Sequence, residues 1–143
     1  MDSIIQGLRE FLLTCPYLGR SKINIDYLPE DARGGVEYSI DTTPATQIVK
    51  QYTDGSSIRQ HLFVIRSVKA YGADTLQNIS NSGAYEKISD WLEGQTRSRN
   101  LPDLPEGKTA QRIEAQSTSY LAAMGPDVGK YQIQCRLLYL QEE

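Results

Sequence analysis

The sequence predicts an α+β fold: a largely antiparallel or mixed β-sheet, with an N-terminal helix and a central helical pair packed on it. Three observations carry this expectation. Apolar residues recur at helical spacing near the N-terminus and again over residues 84–92, but alternate with period two elsewhere. The helical stretches are segregated from the strands instead of alternating with them one by one. Finally, the apolar run Leu62-Phe63-Val64-Ile65 follows an Asp54-Gly55 turn, and reads as a central strand buried on both faces with layers above and below the sheet.

Taken in order, Asp2–Thr14 is the first helix, with Ile4, Ile5, Leu8, Phe11 and Leu12 on one face. Pro16 stops it, because proline cannot continue the hydrogen-bond ladder. Lys22–Leu28 alternates Ile23, Ile25 and Tyr27 with polar neighbours, as a half-buried strand does. Pro29–Gly35 is a loop, and its Gly34-Gly35 pair fits a hairpin between that strand and the next, Val36–Asp41, which Thr42-Thr43-Pro44 ends. Ile48–Tyr52 and Ser57–Lys69 form a hairpin around Thr53-Asp54-Gly55-Ser56, since Asp-Gly accepts the positive φ angles of a tight turn.

Asp74 and Gln77 have the spacing of a capping box and open a helical region that Gly83 interrupts. The second helix runs to Arg99, with Ala84, Tyr85, Ile88, Trp91 and Leu92 as its buried stripe and Glu86, Lys87, Asp90 and Glu93 in water. Arg97 and Arg99 fall in its last turn, where cations suit the negative end of the helix dipole. Leu101–Gly107 is a rigid, turn-rich connector. Two strands close the chain, Arg112–Ala122 and Lys130–Gln141, joined by an exposed loop, Met124–Gly129.

At 143 residues the chain is expected to form a single domain spanning 1–143, large enough for one core. A composition 39% hydrophobic and 23% charged argues against disorder, and a net charge of −3 against a dedicated nucleic-acid binder. No apolar segment is long enough for a membrane span, and the N-terminus reads as an amphipathic helix, not a signal peptide. Cys15 and Cys135 are expected to be buried free thiols of a soluble, intracellular protein.

No reaction announces itself. His61 is the only histidine and stands mid-strand, and neither GxSxG, HExxH, GxGxxG nor a P-loop occurs. No catalytic residue, cofactor or metal is therefore expected. The candidate contact residues are the hairpin tip Asp54, Gly55 and Ser56, the loop residues Glu30, Arg33 and Asp127, and the cations Arg97 and Arg99. Nine tyrosines against two phenylalanines add a modest interface bias.

The segments FLLTCPYL, KINIDYL, YTDGSSIRQHLFVI, LQNISNSGAYEKISDWLE, NLPDLPEGK and YQIQCRLLYLQE together resemble the tail terminator, or tail-to-head joining, family of minor structural proteins. These belong to tailed phages and prophages of Gram-positive hosts. The resemblance runs from Ile5 to Gln141 and implies a virion protein assembled in the host cytoplasm. It implies a six-fold ring that caps the tail tube, partners in the tail-tube and head-completion proteins, and a lumen through which DNA passes without specific binding. Two other readings stand beside it: another neck component, such as a head-completion or stopper protein, and an enzyme or small-ligand module of unrecognised type.

Overall fold

The computed structural model describes residues 3–18, 22–25, 37–70, 75–117, 120–125 and 128–142. In chain order its elements are α1 (Ile4–Leu12), β1 (Lys22–Ile25), β2 (Glu37–Thr43), β3 (Ile48–Gln51), β4 (Ser57–Ala70), α2 (Thr75–Ser98), β5 (Lys108–Ala115), β6 (Tyr120–Gly125) and β7 (Val128–Gln141). The α+β fold with a mixed, mainly antiparallel sheet is the architecture expected. Among the described residues, no helix is long and apolar enough to cross a membrane.

The spine is the antiparallel pair β4–β7. Its two fourteen-residue strands pair along their whole length, from Ser57 opposite Gln141 to Ala70 opposite Val128. β2 and β3 pair one after the other with the outer side of β4, and β5 and β6 do the same on β7. β1 lies beyond β2 and runs parallel to it, so the two strands are not the hairpin expected; Gly34-Gly35 lie outside the described residues. Alternation fixes which face a strand buries but not its direction, and parallel neighbours need a crossover.

Strand alternation then decides the core. Tyr38, Ile40, Phe63, Ile65, Ile113, Tyr131, Ile133, Cys135, Leu137 and Tyr139 fall on one face of the sheet. Leu8, Phe11 and Leu12 of α1 and Tyr85, Ile88 and Leu92 of α2 cover that face. Burying each such side chain is worth roughly 1.5–3 kcal/mol. Among the described residues, the expected layers on both sides of the sheet are not found. Phe63 and Ile65 are 1% and 0% exposed, whereas Leu62 and Val64 are only half-buried, beside Arg136 and Gln134 on the face without helices. A four-residue apolar run does not distinguish full burial from burial by strand neighbours alone.

Ser3 caps α1, its Oγ accepting from the Gln6 N–H, and the helix ends before Pro16 as expected. The helical segments on either side of Gly83 join into one 24-residue helix. A glycine there costs about 1 kcal/mol against alanine, which the packing of Tyr85, Ile88 and Leu92 outweighs. Asp74 lies outside the described residues. The predicted Arg112–Ala122 strand is in fact two: β5, which begins earlier at Lys108, and β6. Met124 and Gly125 pair with Gly129 and Val128, so most of the expected Met124–Gly129 loop is strand.

Two close fits hold the helices. A buried hydrogen bond links the Tyr85 hydroxyl to Ser67 Oγ at 2.6 Å, and the same hydroxyl donates to the Tyr131 carbonyl at 3.3 Å. At Gly7, a Cβ would stand 2.2 Å from the Asp103 carbonyl oxygen, so only glycine lets α1 approach the connector. Gly7→Ala is expected to destabilise the fold by about 1–3 kcal/mol through forced separation of these segments. Tyr85→Phe is expected to cost about 1–3 kcal/mol by leaving buried polar groups underbonded. Urea titration checks both.

Candidate functional site

The most exposed continuous stretch of described chain is an arm around β3. Every residue from Pro44 to Gly55 is exposed, including all four positions of the strand. Within it Ile48 is 41%, Val49 51% and Tyr52 40% exposed. Isolated surface hydrophobics need no explanation, but three within five residues on a sheet edge do.

The arm is ordered from both ends. At its tip the Gly55 N–H donates to the Tyr52 carbonyl and the Tyr52 N–H to the Ser56 carbonyl. This is a turn closed by a left-handed glycine, Gly55 with φ 94°. Only Gly55 takes positive φ, so the loop is longer than a two-residue turn with both residues left-handed. Asp54 Oδ1 accepts from the Ser56 hydroxyl and N–H, and these bonds hold its carboxyl below the usual range. At the base, the Gln60 side chain donates to the Thr46 carbonyl, and Gln47 donates to the Tyr139 hydroxyl. Lys50 lies 5.2 Å from the Tyr52 ring centroid.

A second polar region lies where α2 meets β5. Thr96 Oγ1 donates to the Ile113 carbonyl at 2.6 Å and accepts from the Ile113 N–H at 3.0 Å. Beside it, Ser89, Glu93, Arg97, Arg112 and Ala115 line an open groove of about 370 Å³. Arg97 pairs with Glu93 at 3.0 Å across one helical turn, both well exposed, a contact worth little in water. Arg99 is not in the last turn. It is the left-handed residue after it, with φ 62°, while the Arg99 and Asn100 N–H groups close the helix end onto Thr96 and Gln95.

On the helix-free face, Asp41 accepts from Ser39 and Arg66, and Glu114 from Arg112 and Arg136. Burial alone would raise the Glu114 carboxyl, but hydrogen bonds from Arg136 and Arg112, and their charges, outweigh it and hold it low.

Of the residues singled out from sequence, Asp54, Gly55 and Ser56 come together at the arm tip. Arg97 and Arg99 lie at the far end of α2, and no hydrogen bond or ion pair among the described residues joins the two groups. Glu30, Arg33 and Asp127 lie outside the described residues. Sequence reasoning missed Ile48 and Val49 as exposed and Thr96 as a bridge to β5. The Arg112–Glu114 pair was also missed, although residues two apart on a strand share a face and the spacing could have found it.

Nucleophile chemistry finds little footing. Burial pushes the Cys135 thiol up, and also that of Cys15, where the Tyr17 and Leu18 N–H groups offset it in part. Burial pulls the His61 imidazole down, and its neighbours are Thr42 and the Phe63 ring. Among the described residues, no three His, Cys, Asp or Glu side chains converge as metal ligands would.

No family model matches the chain, and no curated protein matches it. One solved structure, whose name states no activity, superposes on 94% of this chain and 94% of its own. Its TM-score is 0.49 at 10% identity, too low to carry function across.

Glu114 has an ordinary value of 4.5 that folding lowers, so its contribution is present above that pH and is lost as pH falls through the folded value. Glu114→Gln is expected to cost about 1 kcal/mol at neutral pH. Thermal melts of variant and parent should converge in acid.

Proposed function

We propose that this chain is a structural subunit of a tailed phage or prophage that caps the tail tube, ends tube growth and supplies the tail-side surface for head joining. The observation that carries the reading is the arm Pro44–Gly55. A lone subunit leaves Ile48, Val49 and Tyr52 in water on an ordered sheet edge, and an assembling subunit covers them. The sequence resemblance supplies the kind of assembly: copies of the chain closed into a ring, with six-fold symmetry in the family it resembles.

In this reading one ring face meets the tail-tube protein and the other the head-completion connector, within the virion neck. Asp54, Gly55 and Ser56 contact neighbours at the arm tip, as do Arg97 and Arg99 at the end of α2. The net charge of −3 suits a lumen through which DNA slides without specific contacts.

Light scattering of the purified protein, alone and with isolated tail tubes, tests the proposal. A ring mass in solution or on tube ends is the expected result. Binding to tail-less filled heads instead would reassign the chain to a head-completion or stopper role. A monomer that ignores both overturns the reading.

A further inference from the structure

At the Ser57 end of the spine, four strands lie side by side. Gln51 of β3 pairs with Ser57 of β4, Ser57 with Gln141 of β7, and Gln141 with Lys108 of β5, so β3 and β5 are the two flanks. Three strand spacings separate them, about 14 Å. One flank carries a projection and the other a concavity. The arm stands out from β3, exposed at every residue from Pro44 to Gly55, and the open groove of about 370 Å³ lies where α2 meets β5.

Projection and concavity carry opposite charge. Between Gln51 and Ser57, Asp54 is the only charged residue, and hydrogen bonds from Ser56 keep its carboxyl ionised at neutral pH. The nearest cation along the arm, Lys50, lies against the Tyr52 ring, 5.2 Å from its centroid. At the groove, three guanidiniums, those of Arg97, Arg112 and Arg136, share two carboxylates, Glu93 and Glu114. Arg136 holds Glu114 through two N–H groups and Arg112, 57% exposed, through one. Arg97 is 75% exposed, and its ion pair with Glu93 joins two solvated groups. One positive charge is therefore in excess at the groove, on a chain whose net charge is −3.

We propose that the Asp54–Ser56 tip of one copy docks in the α2–β5 groove of the next, with its carboxylate between Arg97 and Arg112. The inference rests on the ring reading and names its joint. A second copy is the occupant because this chain itself carries the matching tip. The tip cannot fill its own groove, since the two lie on opposite flanks and the arm is tied at its base by Gln60 to Thr46 and by Gln47 to Tyr139. The contact is therefore head-to-tail, the kind that closes into rings. Asp54, Gly55 and Ser56 are small enough to enter the groove, and the exposed Ile48, Val49 and Tyr52 follow them toward the neighbour. Opposite charges at such a joint set orientation and partner more than they add affinity.

Charge exchange tests the joint. Each variant is checked for unchanged circular dichroism and melting temperature, then followed by light scattering with and without isolated tail tubes. Asp54→Asn keeps the Oδ1 acceptor for Ser56 and removes only the charge. It is expected to raise the concentration for half-assembly about tenfold. Asp54→Arg and Arg97→Asp each set like charges across the joint and are expected to stay monomeric, while the double variant carrying both forms rings again. Rings from either reversal alone, or assembly of Asp54→Asn at the parent's concentration, overturn the joint and leave the ring reading standing. A double variant that stays monomeric overturns the joint as well. A parent protein that stays monomeric with and without tubes overturns both.

Discussion

The register of β4 on β7 is the constraint on which the rest of the structure depends. Fourteen consecutive pairs place Phe63 opposite Cys135 and Ile65 opposite Ile133, all facing the helices. A slip of β7 by one residue would carry Tyr131, Ile133, Cys135, Leu137 and Tyr139 to the face without helices and bring Gln132, Gln134 and Arg136 into the core. At roughly 1.5–3 kcal/mol for each large apolar side chain, a few such exchanges exceed the net stability of an ordinary domain. Every other strand inherits its register from this pair, because β2 and β3 attach to β4 and β5 and β6 to β7.

The helices act on this spine in two ways. Their apolar stripes cover one face, which any amphipathic helix could do. Their polar residues do something more particular. Tyr85 reaches Ser67 and Tyr131 on the two central strands and so fixes where α2 sits along them. Arg9 and Thr96 bond backbone groups on β1 and β5. The buried hydroxyl of Tyr85 stays protonated, since burial raises it strongly, and acts as a positioning group without acid–base work.

The parts legible in the sequence were those written in periodicity. The α1 face, the Tyr85–Ile88–Leu92 stripe and the alternation from Tyr131 to Tyr139 all fall where period 3.6 or period 2 places them. Three features were not legible for physical reasons. Strand direction is absent from alternation, so the parallel β1–β2 pair was read as a hairpin. The continuity of α2 through Gly83 depends on tertiary packing that outweighs local propensity. Thr96 looks like any polar helix residue, and its role depends on Ile113, seventeen residues away. The candidate site was half visible: Asp54-Gly55 marked the arm tip, but Ile48 and Val49 were placed only in a hairpin strand, with no signal of their exposure.

The helix-free face is less suited to association than the arm. Leu62, Val64, Leu138 and Leu140 are half-buried there, and they are interleaved with Asp41–Arg66 and with Glu114 between Arg112 and Arg136. Ion pairs set among apolar side chains raise the cost of stacking this face on another, because their hydration must be removed along with that of the leucines. The arm carries no such guard: Ile48, Val49 and Tyr52 have one cation, Lys50, among them, and it lies against the tyrosine ring. The difference favours association through a strand edge over association through a face.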